Sequence, residues 1–424
     1  MRSSHHLGWL AMTAGAVLAL TACSSGASPA APSESAGSPS GTLTFVASNS
    51  TQAGFELLID AFEKAYPDVT VDAQFLPIDQ VQTQISTQLG AGAGPDLFIT
   101  NPGTGILGVQ RLAAAGGLAP LVADTWIDTV PTANQKDIGV DGEIYGYPSS
   151  GVFYFVTYNA AAYEELGLDV PETLDDLLDV CTKARAEGKT AFSIPGGAAN
   201  LLALASSQIA VSRVYEEDPD WNAEKAAGDA TFADTDGWAS TIEAFSSMVD
   251  AGCFQDNAGS ATFPDAVSAY ASGSALSMIS FSSQVGQLVA AAPQIENAVY
   301  PVPGDSADST RVPFATSITV SQNSHAQNPN AAAAFIAFLA EPAQASAYAK
   351  AQGDVALADV ATGTLPEYMA GIADYVKNDK TVALPIFVWP SATYAELGVR
   401  TQGLFAGADD VDEILAALDA SWTD

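Results

Sequence analysis

The residues able to do acid–base or metal chemistry in this 424-residue chain are few. It has three histidines, and His5 and His6 fall in a leader that is expected to be removed. His325 then stands alone, inside the polar run Ser321–Asn328, whose composition is that of a solvated loop. One histidine cannot supply two metal ligands, and any Ser/His/Asp triad would have to run through it. GxSxG, SxxK, HExxH and the P-loop lysine motif are absent from the sequence. The 49 Asp and Glu residues are too plentiful for any two to stand out as a glycosidase acid/base pair. No catalytic residue, metal site or cofactor is therefore expected.

Two motifs invite a cofactor or an ion, and each has a plainer reading. Gly103-Thr104-Gly105-Ile106-Leu107-Gly108 spells GxGxxG after a strand, but that strand is the third of its sheet and no acidic second strand follows. A tight loop whose backbone closely approaches a ligand is the expectation. Asp234-Thr235-Asp236-Gly237 with Glu243 resembles part of a calcium loop, yet the first ligand position would be Phe232, which has no oxygen to offer. A surface turn is expected instead, with Thr235 or Asp236 capping the next helix.

The cysteines are more telling. Leu7–Leu20 is a stretch of 14 apolar or small residues behind Arg2, too short to span a bilayer, which takes about 20. Leu20-Thr21-Ala22-Cys23 follows and looks like a bacterial lipobox, with Cys23 acylated as the new N-terminus. Each buried CH2 of an acyl chain contributes roughly 0.8 kcal/mol, so the lipid would hold the protein at the outer face of the cell membrane. Cys181 and Cys253 remain. In an exported chain they read as one disulfide stapling a single domain, or as two buried thiols.

Aromatic residues near amides suit sugar rings, which expose apolar C–H faces and a rim of hydroxyls. The candidates are Phe153, Tyr154, Trp221, Phe281 and Trp389, and for each of them core packing is the competing use.

The elements that must position these residues follow from periodicity. Thr42–Ala47 (TLTFVA) reads as a strand, and Phe55, Leu58, Ile59, Phe62 and Tyr66 recur at helical spacing up to Pro67. A strand over 69–75, a helix over 78–89 and a short buried strand over 95–99 come next. This alternation implies parallel βαβ units, whose ligands sit at the carboxyl ends of strands, here Ser48-Asn49-Ser50 and Thr100-Asn101. Asp141-Gly142 marks a hairpin, and Val152–Tyr158 an apolar strand taken as a crossing between lobes. Thr173 with Asp176 begins a helix. Helices are expected near 198–213, 236–251 and 264–272, with strands over 274–280 and 312–321. With 48% hydrophobic residues the chain can bury two cores, and its net charge of −35 repels nucleic acid and anionic lipid.

Several segments together resemble one family. They are the lipobox, the TLTF strand, Gly94-Pro95-Asp96-Leu97-Phe98, Tyr145-Gly146-Tyr147-Pro148, Tyr158-Asn159 and Pro171-x-Thr173-x-Asp175-Asp176-Leu177. Gly273-x-Ala275-Leu276 and Ala334-Phe335-Ile336-x-Phe338-Leu339 complete the series. In order and spacing the chain is similar to the family 1 extracellular solute-binding proteins of carbohydrate ABC importers.

That resemblance implies an α/β, two-lobed periplasmic-binding-protein-like fold of type II, with a hinge between lobes. Its expected layout is a signal peptide over 1–22 and an acylated tether over 23–41. Lobe 1 then spans 42–150 plus about 310–345, and lobe 2 spans 151–309 plus about 346–424. The resemblance also implies ligand contacts at Ser48, Asn49, Ser50, Thr100, Asn101, Phe153, Tyr154, Ser280, Phe281 and Gln284, to which the aromatic reading adds Trp389. Partners would be a carbohydrate and the importer's permease, with the protein a monomer. Small or polar residues such as Thr100 and Ser282 stand where maltose-type aromatic platforms would be, which favours a smaller or more hydroxyl-bonded glycan over a long α-glucan. The competing functions are a secreted glycan-active enzyme and the same fold binding a cationic solute.

Overall fold

The computed structural model describes residues 38–408 and 410–423. Cys23, the leader and most of the tether lie outside the described residues. Thirteen strands run through the described chain: β1 (Gly41–Ser48), β2 (Val69–Leu76), β3 (Leu97–Thr100), β4 (Gly139–Val140), β5 (Glu143–Ile144), β6 (Tyr147–Pro148) and β7 (Gly151–Asn159), then β8 (Thr190–Ser193), β9 (Ala275–Phe281), β10 (Asn297–Tyr300), β11 (Val312–Thr316), β12 (Thr319–Gln322) and β13 (Thr381–Ala383). They form two main sheets, ordered β2-β1-β3-β12-β6 and β13-β11-β7-β9-β8, with β10 also paired to β7. β4 and β5 make a separate hairpin, turned by Asp141 and Gly142, both at positive φ (53° and 86°).

The first sheet is built as its sequence patterning requires. β1 lies parallel to β2 and β3, and the Gln52–Ala65 helix returns between the first two. Phe45, Phe55, Phe62 and Phe335 interlock beneath it, with ring centroids 4.9 Å apart for Phe45–Phe55 and for Phe62–Phe335. The Asp of the Gly-Pro-Asp-Leu-Phe segment has a mechanical role there. Asp96 accepts the Thr44 amide (2.9 Å), the Thr44 hydroxyl (2.7 Å) and the Asn328 amide (2.8 Å). It so joins β1, β3 and the start of the Pro329–Leu339 helix. Behind the second sheet, Trp221, Phe232, Trp238, Trp389 and Trp422 form a single aromatic cluster.

Thr173 and Asp176 form a reciprocal capping box at the head of the Leu174–Ala186 helix. Cys181 of that helix is bonded to Cys253, which follows the Asp236–Asp250 helix. Among the described residues no helix is long and apolar enough to cross a membrane.

Three expectations are corrected. Residues 312–321 are not one strand: β11 belongs to the second sheet and β12 to the first, so the chain changes lobe at Ser317–Ile318. The lobe boundaries move accordingly. The Pro342–Gln352 helix packs on the Gln52–Ala65 helix, and the chain leaves lobe 1 at Gly353–Val355 rather than near 345. Thr235 occupies the N-cap of the Asp236–Asp250 helix without capping it, because its hydroxyl donates back to the Thr231 carbonyl and accepts from the Trp221 indole.

Candidate functional site

The two sheets meet at three crossing segments lying side by side. The Ser149 amide donates to the Ile318 carbonyl (3.1 Å) and the Ser317 amide to the Ser150 carbonyl (2.8 Å). Gly151 and Val355 exchange both of their backbone bonds. Sheet register then fixes what surrounds this hinge. Thr100, the last residue of β3, pairs with Thr319, which also pairs with Pro148. The loop after β1 reaches the same region, since Gln352 Nε2 donates to the Ser50 carbonyl (3.2 Å). From the second sheet, Tyr154 at the start of β7 pairs with Phe281 at the end of β9, their rings 5.5 Å apart. The carboxyl ends of β1 and β3 and the Tyr154–Phe281 corner thus converge on one hinge, where ligands of such sheets bind.

Within that arrangement the expected site residues divide. Asn49 and Ser50 are exposed, Asn101 and Phe281 half-buried, and all four can meet a solute. Gln284 and Tyr154 are mostly covered but border the same corner. Ser48 bonds Ser50, Thr100 bonds the hydroxyls of Thr319 and Ser321, and Ser280 bonds Thr157. These three are buried internal partners that shape the site from behind. Two aromatic expectations are not met. Phe153 is 0% exposed and packs on Phe314, and Trp389 is 6% exposed in the aromatic cluster, its indole donating to Asn222 (2.9 Å). Trp221 is likewise core.

The GxGxxG loop makes its close approach to protein. A Cβ on Gly103 (φ 84°) would fall 2.9 Å from Val388 Cγ1, so this loop of lobe 1 touches the 385–388 turn of lobe 2. Beside it lies a cavity of ≈ 580 Å3, lined by Gln110 and Asp137 on one side and by Glu216, Arg311 and Leu384 on the other. Arg311 is tied to Glu216 at 2.6 Å, and burial pushes the Asp137 carboxyl up to about 6. His325 is exposed in its turn, and no group of three metal-ligating side chains occurs among the described residues.

Sequence reasoning missed several residues of the hinge. The Ser150 hydroxyl donates to the carboxylate of Asp354, with the hydroxyls of Ser317 and Ser283 nearby. Burial pushes this carboxyl up to about 6 against the lowering effect of the three hydroxyls. The Tyr154 phenol is raised by burial and further by nearby Tyr394 and Asp354. Tyr394, whose hydroxyl donates to the Asn200 carbonyl (3.0 Å), therefore stands at the same corner. Nothing in the sequence separates Asp354 from the other carboxylates; only the convergence of three crossings does.

Known proteins share this fold. The multiple sugar-binding protein of Streptococcus mutans is 24% identical over 144 residues, 34% of this chain and 33% of that protein. The melibiose/raffinose/stachyose-binding protein MelE of Bacillus subtilis is 27% identical over 152 residues, 35% and 34% of the two chains. The matches thus span about a third of each curated relative. The atomic-resolution apo structure of RafE from Streptococcus pneumoniae superposes with a TM-score of 0.77 over 91% of this chain and 98% of that one, at 22% identity. Residues 47–346, more than two thirds of the chain, match the family described as bacterial extracellular solute-binding protein. With two sheets hinged by three crossings and the loops of both turned toward that hinge, the chain belongs to the bacterial extracellular solute-binding protein family.

Proposed function

We propose that this protein is the sugar-capturing receptor of an ABC importer, held at the outer face of the cell membrane by lipid on Cys23 and working as a monomer. Its ligand would be a short oligosaccharide of the raffinose, melibiose and stachyose type, the sugars named for MelE. The observation that carries this reading is the convergence of Asn49, Ser50, Asn101, Tyr154, Phe281 and Gln284 on one hinge. Amides and hydroxyls suit the rim of a sugar, and one half-buried ring suits its apolar face. Binding would shift the lobes toward a closed population only because the sugar contacts both of them better when shut. A permease would then read the closed form.

Calorimetric titration of the soluble chain beginning at Ser24 with raffinose, melibiose and stachyose tests the ligand, with spermidine and a peptide mixture as controls. Saturable binding of one of the sugars, recovered intact by chromatography, is the expected result. A response to spermidine alone would replace the sugar by a cation, and recovery of cleaved sugar would replace the receptor by an enzyme. Labelled palmitate tests the anchor: incorporation should be lost in Cys23→Ser, with the protein released from membranes.

A further inference from the structure

Two glutamines in lobe 2 are buried without the partners that buried amides normally have. Gln208, in the Ala199–Ala210 helix, is 2% exposed, and Gln284, in the first turn of the Ser282–Ala291 helix, is 7% exposed. The side-chain oxygen of each lacks a hydrogen-bond partner among the described residues. Other glutamines of the same lobe show what a structural amide does. Gln255 bonds both the amide and the carbonyl of Ile194, and Gln402 donates to the carbonyls of Gly196 and Gly259. Buried polar side chains are paired in the large majority of cases, and leaving one unpaired carries its full desolvation penalty.

Gln208 and Gln284 line one cavity, together with Ile194, Pro195, Ile279 and Phe281. Its volume is ≈ 10 Å3, about what a single water or hydroxyl group occupies. Phe281 ties this cavity to the hinge corner, where its ring meets Tyr154. No side chain lining it is charged. An ammonium group would find no carboxylate there, and a phosphate no cation. A hydroxyl fits, because it can donate to one amide oxygen and accept from the N–H of the other amide.

We infer that Gln208 and Gln284 form a pocket that receives one uncharged hydroxyl group of a sugar ring placed against Phe281. The inference rests on the sugar-binding reading above and adds to it a specificity determinant, Gln208, on a helix that carries none of the expected ligand contacts. A sugar whose projecting group is replaced by hydrogen leaves both amides unpaired, so the pocket discriminates by chemistry as well as by size.

The test compares the chain beginning at Ser24 with Gln208→Met, Gln284→Met and the double variant, since methionine keeps length and removes the amide. With raffinose as probe, each single variant should lose about tenfold or more in affinity, and the double variant should lose less than the product of the two, because both amides hold one group. The ligand-free melting temperature should stay level or rise in each variant. Affinities within about twofold of the parent in both single variants would overturn the pocket. If the parent itself ignores raffinose, the proposed ligand fails, and the melting temperatures still decide the pocket: a rise supports amides that await a ligand, and a fall marks them as structural.

Discussion

The Ser150 hydroxyl, in the first crossing between the lobes, donates to the carboxylate of Asp354 in the third. The hydroxyls of Ser317, in the second crossing, and of Ser283, at the head of a lobe 2 helix, lie near the same carboxylate and act to lower its pKa. One acidic group therefore ties the first crossing to the third, and backbone bonds tie the first to the second.

Asp354 makes stability depend on pH. Its carboxyl, raised to about 6, holds a proton in the folded protein where an unfolded aspartate has lost it. The contribution is complete below about pH 4 and is lost as pH rises through about 6. Asp354→Asn, which cannot ionise, should be more stable than the parent by about 1–2 kcal/mol near pH 7.5 and no more stable near pH 4. Denaturant titrations at both values check this. A less stable variant near pH 7.5 would mean that the hydroxyls around the carboxylate outweigh burial.

Asp96 has the opposite sign. Burial raises its carboxyl, but the Thr44 hydroxyl and the amides of Thr44, Asn328 and Gln327 together hold it below the usual carboxylate range. Its contribution is present above about pH 4 and is lost as pH falls through its lowered value. Asp96→Ala strands those donors and should cost about 3 kcal/mol at neutral pH, with the difference from the parent narrowing in acid. Thermal unfolding across pH measures it.

The Cys181–Cys253 bond closes a loop with a sequence separation of 72 inside lobe 2. Replacing both residues by Ala should destabilise the protein by ~4 kcal/mol in the chain-entropy model. Neither cysteine touches the hinge corner, so sugar affinity measured well below the melting temperature should not change.

Phe281 and Phe153 offer a test of recognition against packing. Phe281→Ala removes a half-buried ring at the corner and should weaken sugar binding about tenfold or more with a small effect on stability. Phe153→Ala and Trp389→Ala open the cores and should cost about 3–5 kcal/mol each in unfolding experiments.

Much of the fold was legible in the sequence because its signals are local. Alternation in TLTFVA, the capping residues Thr173 and Asp176, and the Asp141-Gly142 turn each act within a few residues of themselves. The carboxyl ends of β1 and β3 were legible as the edge where a ligand is expected, because ligands of parallel sheets bind there. The 312–321 stretch misled because strand propensity carries no address: β11 and β12 are equally β-rich, and only their pairing partners, β7 and β3, assign them to different sheets.

By itself, then, the sequence determined the elements and the family resemblance. Only the tertiary structure decided which aromatics are buried, that Asp354 ties the first crossing to the third and that Gln208 and Gln284 line one cavity. Those facts join residues that lie far apart along the chain. Burial and hydrogen-bond satisfaction depend on which surfaces meet, and that is settled when the two sheets pack, not by any residue's neighbours in sequence.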